Sequence, residues 1–223
     1  MAAQPIERTS IPAALSDALR RRILRGEIGE GEQLRQETIA AEYDVSRMPV
    51  REALRQLEAE GLVRFSPHKG AVVTSLSPSE IEEVFDLRAL IEPDLLRRAI
   101  PHLSAADLET AAENAKAFDD ALRDAGPDVA EIGRYNWALH AALYAPAGRT
   151  RTMQFLQTLH YQAERYTRLQ VILTHGEQRA SADHRNLIEY CRRREAEAAC
   201  DLLRRHIEDA GRDLLDYLEK QRG

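Results

Sequence analysis

Apolar residues recur at three- and four-residue spacing along most of this chain, the period of a helix that buries one face. Over residues 13–25, Leu15, Leu19, Ile23 and Leu24 form such a stripe, which stops at Gly26. A short second helix is predicted over 36–42. After the turn Tyr43-Asp44-Val45 a third begins behind Ser46, a natural N-cap, with Val50, Ala53, Leu54 and Leu57 on its apolar face. Near residue 62 the period changes to that of extended chain. Leu62-Val63-Arg64-Phe65 and Ala71-Val72-Val73-Thr74 read as strands, and Ser66-Pro67-His68-Lys69-Gly70 supplies the bend between them. Three helices and a hairpin predict a winged helix-turn-helix.

Ser77-Pro78-Ser79-Glu80 is a Ser-x-x-Glu capping box with Pro at the first helical position. It puts a domain junction near residues 75–78, so the expected domains are 1–76 and 77–223. Beyond it, helices are predicted over about 78–100, 104–124, 127–145, 149–174, 177–192 and 194–220. Pro101, Gly126-Pro127, Pro146-Ala147-Gly148 and His175-Gly176 separate them. Six helices with short connections make an antiparallel bundle. The expected fold is mainly α: an N-terminal winged helix-turn-helix plus a C-terminal antiparallel all-α bundle.

Composition narrows the class. The 223 residues are 43% hydrophobic and 30% charged, and no apolar run approaches the roughly 20 residues that span a bilayer. A membrane protein is not expected. The first ten residues lack the basic start and apolar centre of a secretory signal, so a cytoplasmic location is expected. Cys191 and Cys200 suit neither a disulfide framework nor a Cys-x-x-Cys knuckle and read as reduced thiols. The net charge of −6 speaks against a nucleic-acid partner only until its distribution is considered. Residues 1–76 hold eleven basic and eleven acidic residues, leaving twenty and twenty-six for the remainder. All the excess acid therefore lies in the helical part, and any basic surface in the first part must come from arrangement on a face.

The third helix has such a face. Arg47, Arg51 and Arg55 follow one another at four-residue spacing, roughly 40° apart per step, away from the apolar stripe. The first of them share the helix N-terminus with Ser46, where both charge and dipole favour anions. The guanidinium fork suits phosphate oxygens or the O6/N7 edge of guanine. Taken alone, an arginine stripe also describes a solvated face. The preceding helix, the tight turn and the following hairpin favour DNA.

With these residues in place, the chain resembles a known family. LSDALRRRILRGEI, GEQLRQETIAAEYDVSRMPVREALRQLEAEGLV and SPHKGAVVTSLS resemble the N-terminal domain of the GntR family of bacterial transcription regulators. The resemblance implies that Arg47 and Arg51 reach DNA at the start of the recognition helix, and that Lys69 and Gly70 at the wing tip touch the minor groove or backbone. The expected DNA-binding set is Arg35, Ser46, Arg47, Met48, Arg51, Arg55, Lys69 and Gly70. Asp44 stands where the family usually has Gly, and Asp tolerates the left-handed turn required there. Glu30 replaces a common Pro. Position 37 is Glu where some members carry a DNA-contacting arginine, so that contact is not transferred; Arg35 is the candidate replacement.

The acidic half offers Asn136 and His140 one helical turn apart, with His184 and His206 on the last two helices. Such histidines are more often surface or hydrogen-bonded core residues than ligands. However, FDLRALIEPDLLRRAI, NWALHAALYAPAG and ADHRNLIEYCRRREAEAACDLLRRHI resemble the FCD ligand-binding domain of the FadR subgroup. That resemblance implies a divalent metal ion (zinc, nickel or manganese) held by an Asp and three histidines, and a small organic acid as effector. The matching positions are Asn136, His140, His184 and His206, with Asn in place of Asp. An amide carries no formal charge, so the site keeps about two positive charges instead of one. Metal is then expected to bind less tightly, and metal and a carboxylate effector to stabilise each other. Arg88 either clamps that carboxylate or pairs with Glu92 at i+4. Trp137 reads as core packing, and Glu164 with Arg168 and the run Arg192-Arg193-Arg194 read as solvated charges.

The leading reading is a regulator, expected to be a repressor, that binds a pseudopalindromic double-stranded DNA operator as a homodimer and is released by a small carboxylate. An alternative keeps the regulator with a metal-free effector pocket. A metal-dependent hydrolase is the remote alternative, since no His-Glu-x-x-His run or comparable catalytic set is present. The chain is not expected to be an enzyme.

Overall fold

The computed structural model describes residues 10–67, 69–123, 130–173 and 177–222, which form two compact units divided after Ser75. In the first, the order is α1 (Ile11–Leu24), β1 (Gln33–Leu34), α2 (Gln36–Glu42), α3 (Arg47–Ala59), β2 (Val63–Ser66) and β3 (Gly70–Val73). The Ser10 hydroxyl accepts from Ala13 N at 3.4 Å to start α1, and Gly26 at φ +73° follows its end. Leu19 and Ile23 of α1 pack with Val50, Ala53, Leu54 and Leu57 of α3, all six fully buried. The Arg20 guanidinium donates to both oxygens of Glu60 across the same pair of helices, at 2.8 and 2.6 Å. Arg22 pairs with Glu42 of α2. These arginines are engaged inside the unit.

Asp44 adopts φ +51°, the left-handed turn conformation expected of it. Ser46 occupies the N-cap of α3 but makes no capping bond with its side chain. The third residue of the helix is Pro49, which has no N–H to offer. The sheet is antiparallel in the order β1-β3-β2, with Val63 opposite Val73 and Leu34 opposite Ala71. Strand β1 was not expected: two residues are too short to display a period.

The second unit contains α4 (Pro78–Ala99), α5 (Ala105–Arg123), α6 (Ala130–Tyr144), α7 (Thr150–Leu173), α8 (Glu177–Arg192) and α9 (Ala196–Arg222), with short 3-10 turns at Ile100–His102 and Ala145–Ala147. Mainly helical architecture and a small three-stranded sheet match the expected class. The capping box forms as read: Ser77 Oγ accepts from Glu80 N, and Glu80 Oε2 accepts from Ser77 N. Two of the expected breaks, Gly126-Pro127 and His175-Gly176, lie outside the described residues. Helix α9 begins at Ala196 rather than 194 because Arg194 takes φ +59° and ends α8. Its guanidinium donates to the carbonyls of Ile100 and Leu103, so Arg194 is a structural tie and not a solvated charge. Arg192 and Arg193 both pair with Glu189, as surface charges do.

Helices α4 and α9 pack closely, and the backbone at Gly211 lies where a Cβ would come within 2.9 Å of the Phe85 Cβ. Leu95, Leu96, Leu139, Leu143, Leu156, Leu203 and Leu214 fill the centre of the bundle. Trp137 packs against this core, as expected. Cys191 and Cys200 are buried free thiols; Cys200 Sγ donates to Pro93 O at 3.1 Å, and burial pushes the Cys191 thiol up to about 12. Among the described residues, no helix is long and apolar enough to cross a membrane.

Candidate nucleic-acid interface and metal centre

The amphipathic pattern of α3 turns its leucines inward and leaves Arg47, Met48, Arg51 and Arg55 exposed on the other side. Met48 is 61% exposed, which is unusual for an apolar residue in a helix with a full core. Among the described residues, Arg51 and Arg55 have no ion-pair partner, whereas Arg47 Nη2 sits 2.9 Å from Glu37 Oε1. Ser46, Arg35, Lys69 and Gly70 are exposed as well. Arg35 donates to Gln33 Oε1 at 3.3 Å, and the Gln33 amide donates to the Lys69 carbonyl, so β1 connects Arg35 to the wing.

In the second unit, α6, α8 and α9 deliver His140, His184 and His206 to one point. One ring nitrogen from each lies within 4.8 Å of the others. Ring centroids are 5.2 Å apart for His140 and His184, 5.1 Å for His184 and His206, and 5.8 Å for His140 and His206. His140 Nε2 and both nitrogens of His184 are buried without a hydrogen-bond partner. Leaving such groups unmatched costs about 1–3 kcal/mol each, so this convergence is not explained by packing. Desolvation lowers the pKa of His140 well below the ordinary value, against the pull of Glu92. Desolvation and then His206 do the same to His184. Both rings are therefore neutral with lone pairs available, the state in which imidazole binds a metal.

Hydrogen bonds around the triad set its tautomers. Asp183 Oδ2 is 3.1 Å from His206 Nδ1, and a carboxylate can only accept, so Nδ1 is the donor and Nε2 is the nitrogen left to face the other two rings. Tyr144 Oη donates to Glu92 Oε2 at 2.7 Å and lies 3.1 Å from His140 Nδ1. Phe118 meets His184 edge-on with centroids 4.9 Å apart. Three converging imidazoles, two of them with buried, unmatched nitrogens, fit a divalent transition ion.

Arg88 is 4% exposed and its Nε donates to Glu92 Oε1 at 2.8 Å, the i+4 pairing. His160 Nε2 lies 3.1 Å from the same oxygen. Burial would raise the Glu92 carboxyl, but Arg88 and then His160 hold it well below the usual range. Desolvation and then Arg88 keep His160 low. Asn136 lies one turn before His140 and lines a small cavity with Gly133, Trp137, His160, Tyr161 and Glu164. Sequence reasoning missed His160, Tyr144 and Asp183 as neighbours of the site. Tyr144, four residues after His140, and Asp183, beside His184, had local signals; His160 had none.

Residues 13–73 match the family described as bacterial regulatory proteins, gntR family, and residues 83–209, more than half of the chain, match the FCD domain. The HTH-type transcriptional repressor GlaR of Escherichia coli (strain K12) is 31% identical over 202 residues, 85% of this chain and 89% of that protein. The HTH-type transcriptional regulator BphR of Paraburkholderia xenovorans (strain LB400) is 29% identical over 205 residues, 90% and 84% of the two chains. A crystal structure of a GntR-family regulator from Pseudomonas syringae pv. tomato is 32% identical, with a TM-score of 0.54 over 98% of this chain and 90% of that one.

Proposed function

The chain belongs to the GntR family of bacterial regulatory proteins and, as a member with an FCD domain, is a transcriptional regulator; we propose that it is a repressor released from its operator by a small organic acid bound at the histidine centre. The observation that carries this reading is the meeting of His140, His184 and His206 at one point, with buried, unmatched nitrogens on His140 and His184. His140, His184, His206 and Asn136 hold a divalent ion, which supplies a positive centre for a carboxylate. Arg88, a few turns into α4, takes part of the same carboxylate when it exchanges for Glu92. The repressor sign is supported by the relative from Escherichia coli, which is named a repressor.

Arg47, Arg51 and Arg55 face the major groove with Ser46 and Met48, while Lys69 and Gly70 meet the backbone or minor groove and Arg35 adds a flanking contact. One winged unit reads few base pairs, so two copies on a pseudopalindrome supply the specificity. Leu90, 73% exposed, and Phe155, 48% exposed, give the helical unit apolar surface that a twofold contact covers. Effector and operator then oppose each other by reciprocal linkage.

The test starts with elemental analysis of protein purified without chelator or nickel resin. About one zinc, nickel or manganese ion per chain is expected (one three-histidine site), with carboxylates lowering affinity for a duplex selected from a random library. A protein that takes up none of these metals, alone or with a carboxylate panel, loses the metal reading. A second reading has its own support in the buried Arg88 and in the cavity lined by Asn136 and His160: carboxylate-driven release that persists in chelator makes the pocket metal-free.

A further inference from the structure

We propose that Glu92, acting through Tyr144, is the outer carboxylate that completes the His140–His184–His206 centre in place of the one absent at position 136. This rests on the metal reading above. Glu92 is fully buried and, being ionised, only accepts hydrogen bonds. Its two oxygens face different ways. Oε1 receives Arg88 Nε and His160 Nε2, and Oε2 receives the Tyr144 hydroxyl.

Because the Tyr144 proton goes to Glu92, the phenolic oxygen must accept from His140, so His140 carries its proton on Nδ1. The remaining nitrogen, Nε2, then holds the lone pair, and it is the His140 atom that is buried with no partner. The chain Glu92–Tyr144–His140 thus fixes the ring's tautomer and direction and raises its basicity as a ligand. A metal on Nε2 makes the Nδ1 proton more acidic and so strengthens every bond back to the carboxylate. Asp183 does the same for His206 directly, but from a position 20% exposed, where water screens it more. Arg88 keeps Glu92 ionised before any metal arrives, so the support is preorganised. Tyr144 and Glu92 are positioning residues: neither touches the metal.

The experiment is a competition titration with zinc and a chromophoric chelator on the full chain, comparing wild type, Tyr144→Phe, Asn136→Asp and the double variant. Tyr144→Phe is expected to lose about ten- to a hundredfold in zinc affinity, the usual effect of removing an outer partner, while the cobalt-loaded protein keeps its visible spectrum because the ligands are unchanged. With Asp supplied at 136 the same change is expected to cost clearly less. A merely structural tyrosine lowers the thermal midpoint of the metal-free protein and leaves the zinc affinity of the folded fraction alone. Zinc affinity unchanged in Tyr144→Phe, or an equal loss in both backgrounds, overturns the inference while the metal reading stands. A wild type that binds no zinc, nickel or manganese removes both. If Tyr144→Phe does not fold, Arg88→Met with Glu92→Gln removes the buried charges together and is expected to show the same loss of zinc affinity.

Discussion

Arg47 Nη2 and Glu37 Oε1 form an ion pair at 2.9 Å on the exposed face of the first unit, with side chains 68% and 72% accessible. An exposed pair of this kind contributes about 0–1 kcal/mol to stability, so its consequence is positional. Glu37 puts a negative charge beside the arginine expected to lead α3 onto DNA, where it opposes phosphate and occupies one edge of the guanidinium. Glu37→Gln is therefore expected to strengthen binding to random duplex. The plot of log affinity against log salt should steepen by about 0.9, one added phosphate contact. Fluorescence anisotropy between low and moderate salt measures it. An unchanged slope would show that Glu37 stands away from the duplex.

Arg51 and Lys69 are assigned different tasks, and their variants separate them. Arg51, exposed and unpaired among the described residues, is the residue proposed to read a base edge. Arg51→Ala should cost about 1–3 kcal/mol on the selected operator and relax the preference at one position per half-site. Lys69→Ala, at the wing, should weaken all duplexes evenly and flatten the salt dependence. Binding selection with a randomised duplex shows both effects, and unchanged operator affinity in Arg51→Ala sinks the assignment.

What could be read from sequence was whatever the chain writes locally. Ser77 and Glu80 announce a helix start because a capping box closes within four residues, and α3 shows its two faces because both repeat along one helix. Arg88 with Glu92, and His140 with Tyr144, are i+4 pairs and were within reach. The buried hub was not. Tyr144 and His160 reach Glu92 across 52 and 68 residues of chain, brought together only by the bundle topology. Strand β1 exists through pairing with β3, and Arg194 acquires its role by meeting carbonyls about ninety residues earlier. Each of these depends on tertiary neighbours that no periodicity encodes.

The same buried rings predict how the metal-stripped protein responds to acid. His140, His160 and His184 have folded pKa values lowered from 6.5, mainly by desolvation. Between their folded values and 6.5 the unfolded chain binds protons that the folded chain does not, so stability rises with pH and falls on acidification below 6.5. Each ring adds up to about 1.4 kcal/mol per pH unit. Glu92 acts later: its lowered pKa gives stability that is complete above 4.5 and is lost only as pH falls through the folded value. Urea unfolding in chelator should therefore show stability dropping between pH 6.5 and 5, with less loss in His184→Phe. A flat profile over that range would mean the rings are not buried neutral.

Asn136→Asp tests the charge argument at its centre. With Asn, a divalent ion among three neutral imidazoles keeps both of its charges, and a carboxylate effector is the available anion. With Asp, one of those charges is neutralised within the protein. Zinc should bind more tightly to the variant in the absence of carboxylate, and a given carboxylate should enhance zinc binding less than it does in wild type. By linkage, zinc should then enhance carboxylate binding less by the same factor. Two calorimetric titrations, zinc with and without a carboxylate and the carboxylate with and without zinc, close the cycle. Unchanged zinc affinity would show that residue 136 lies outside the coordination sphere. Asn136 would then belong to the cavity beside His160 and Trp137, where its amide would read the rest of the effector.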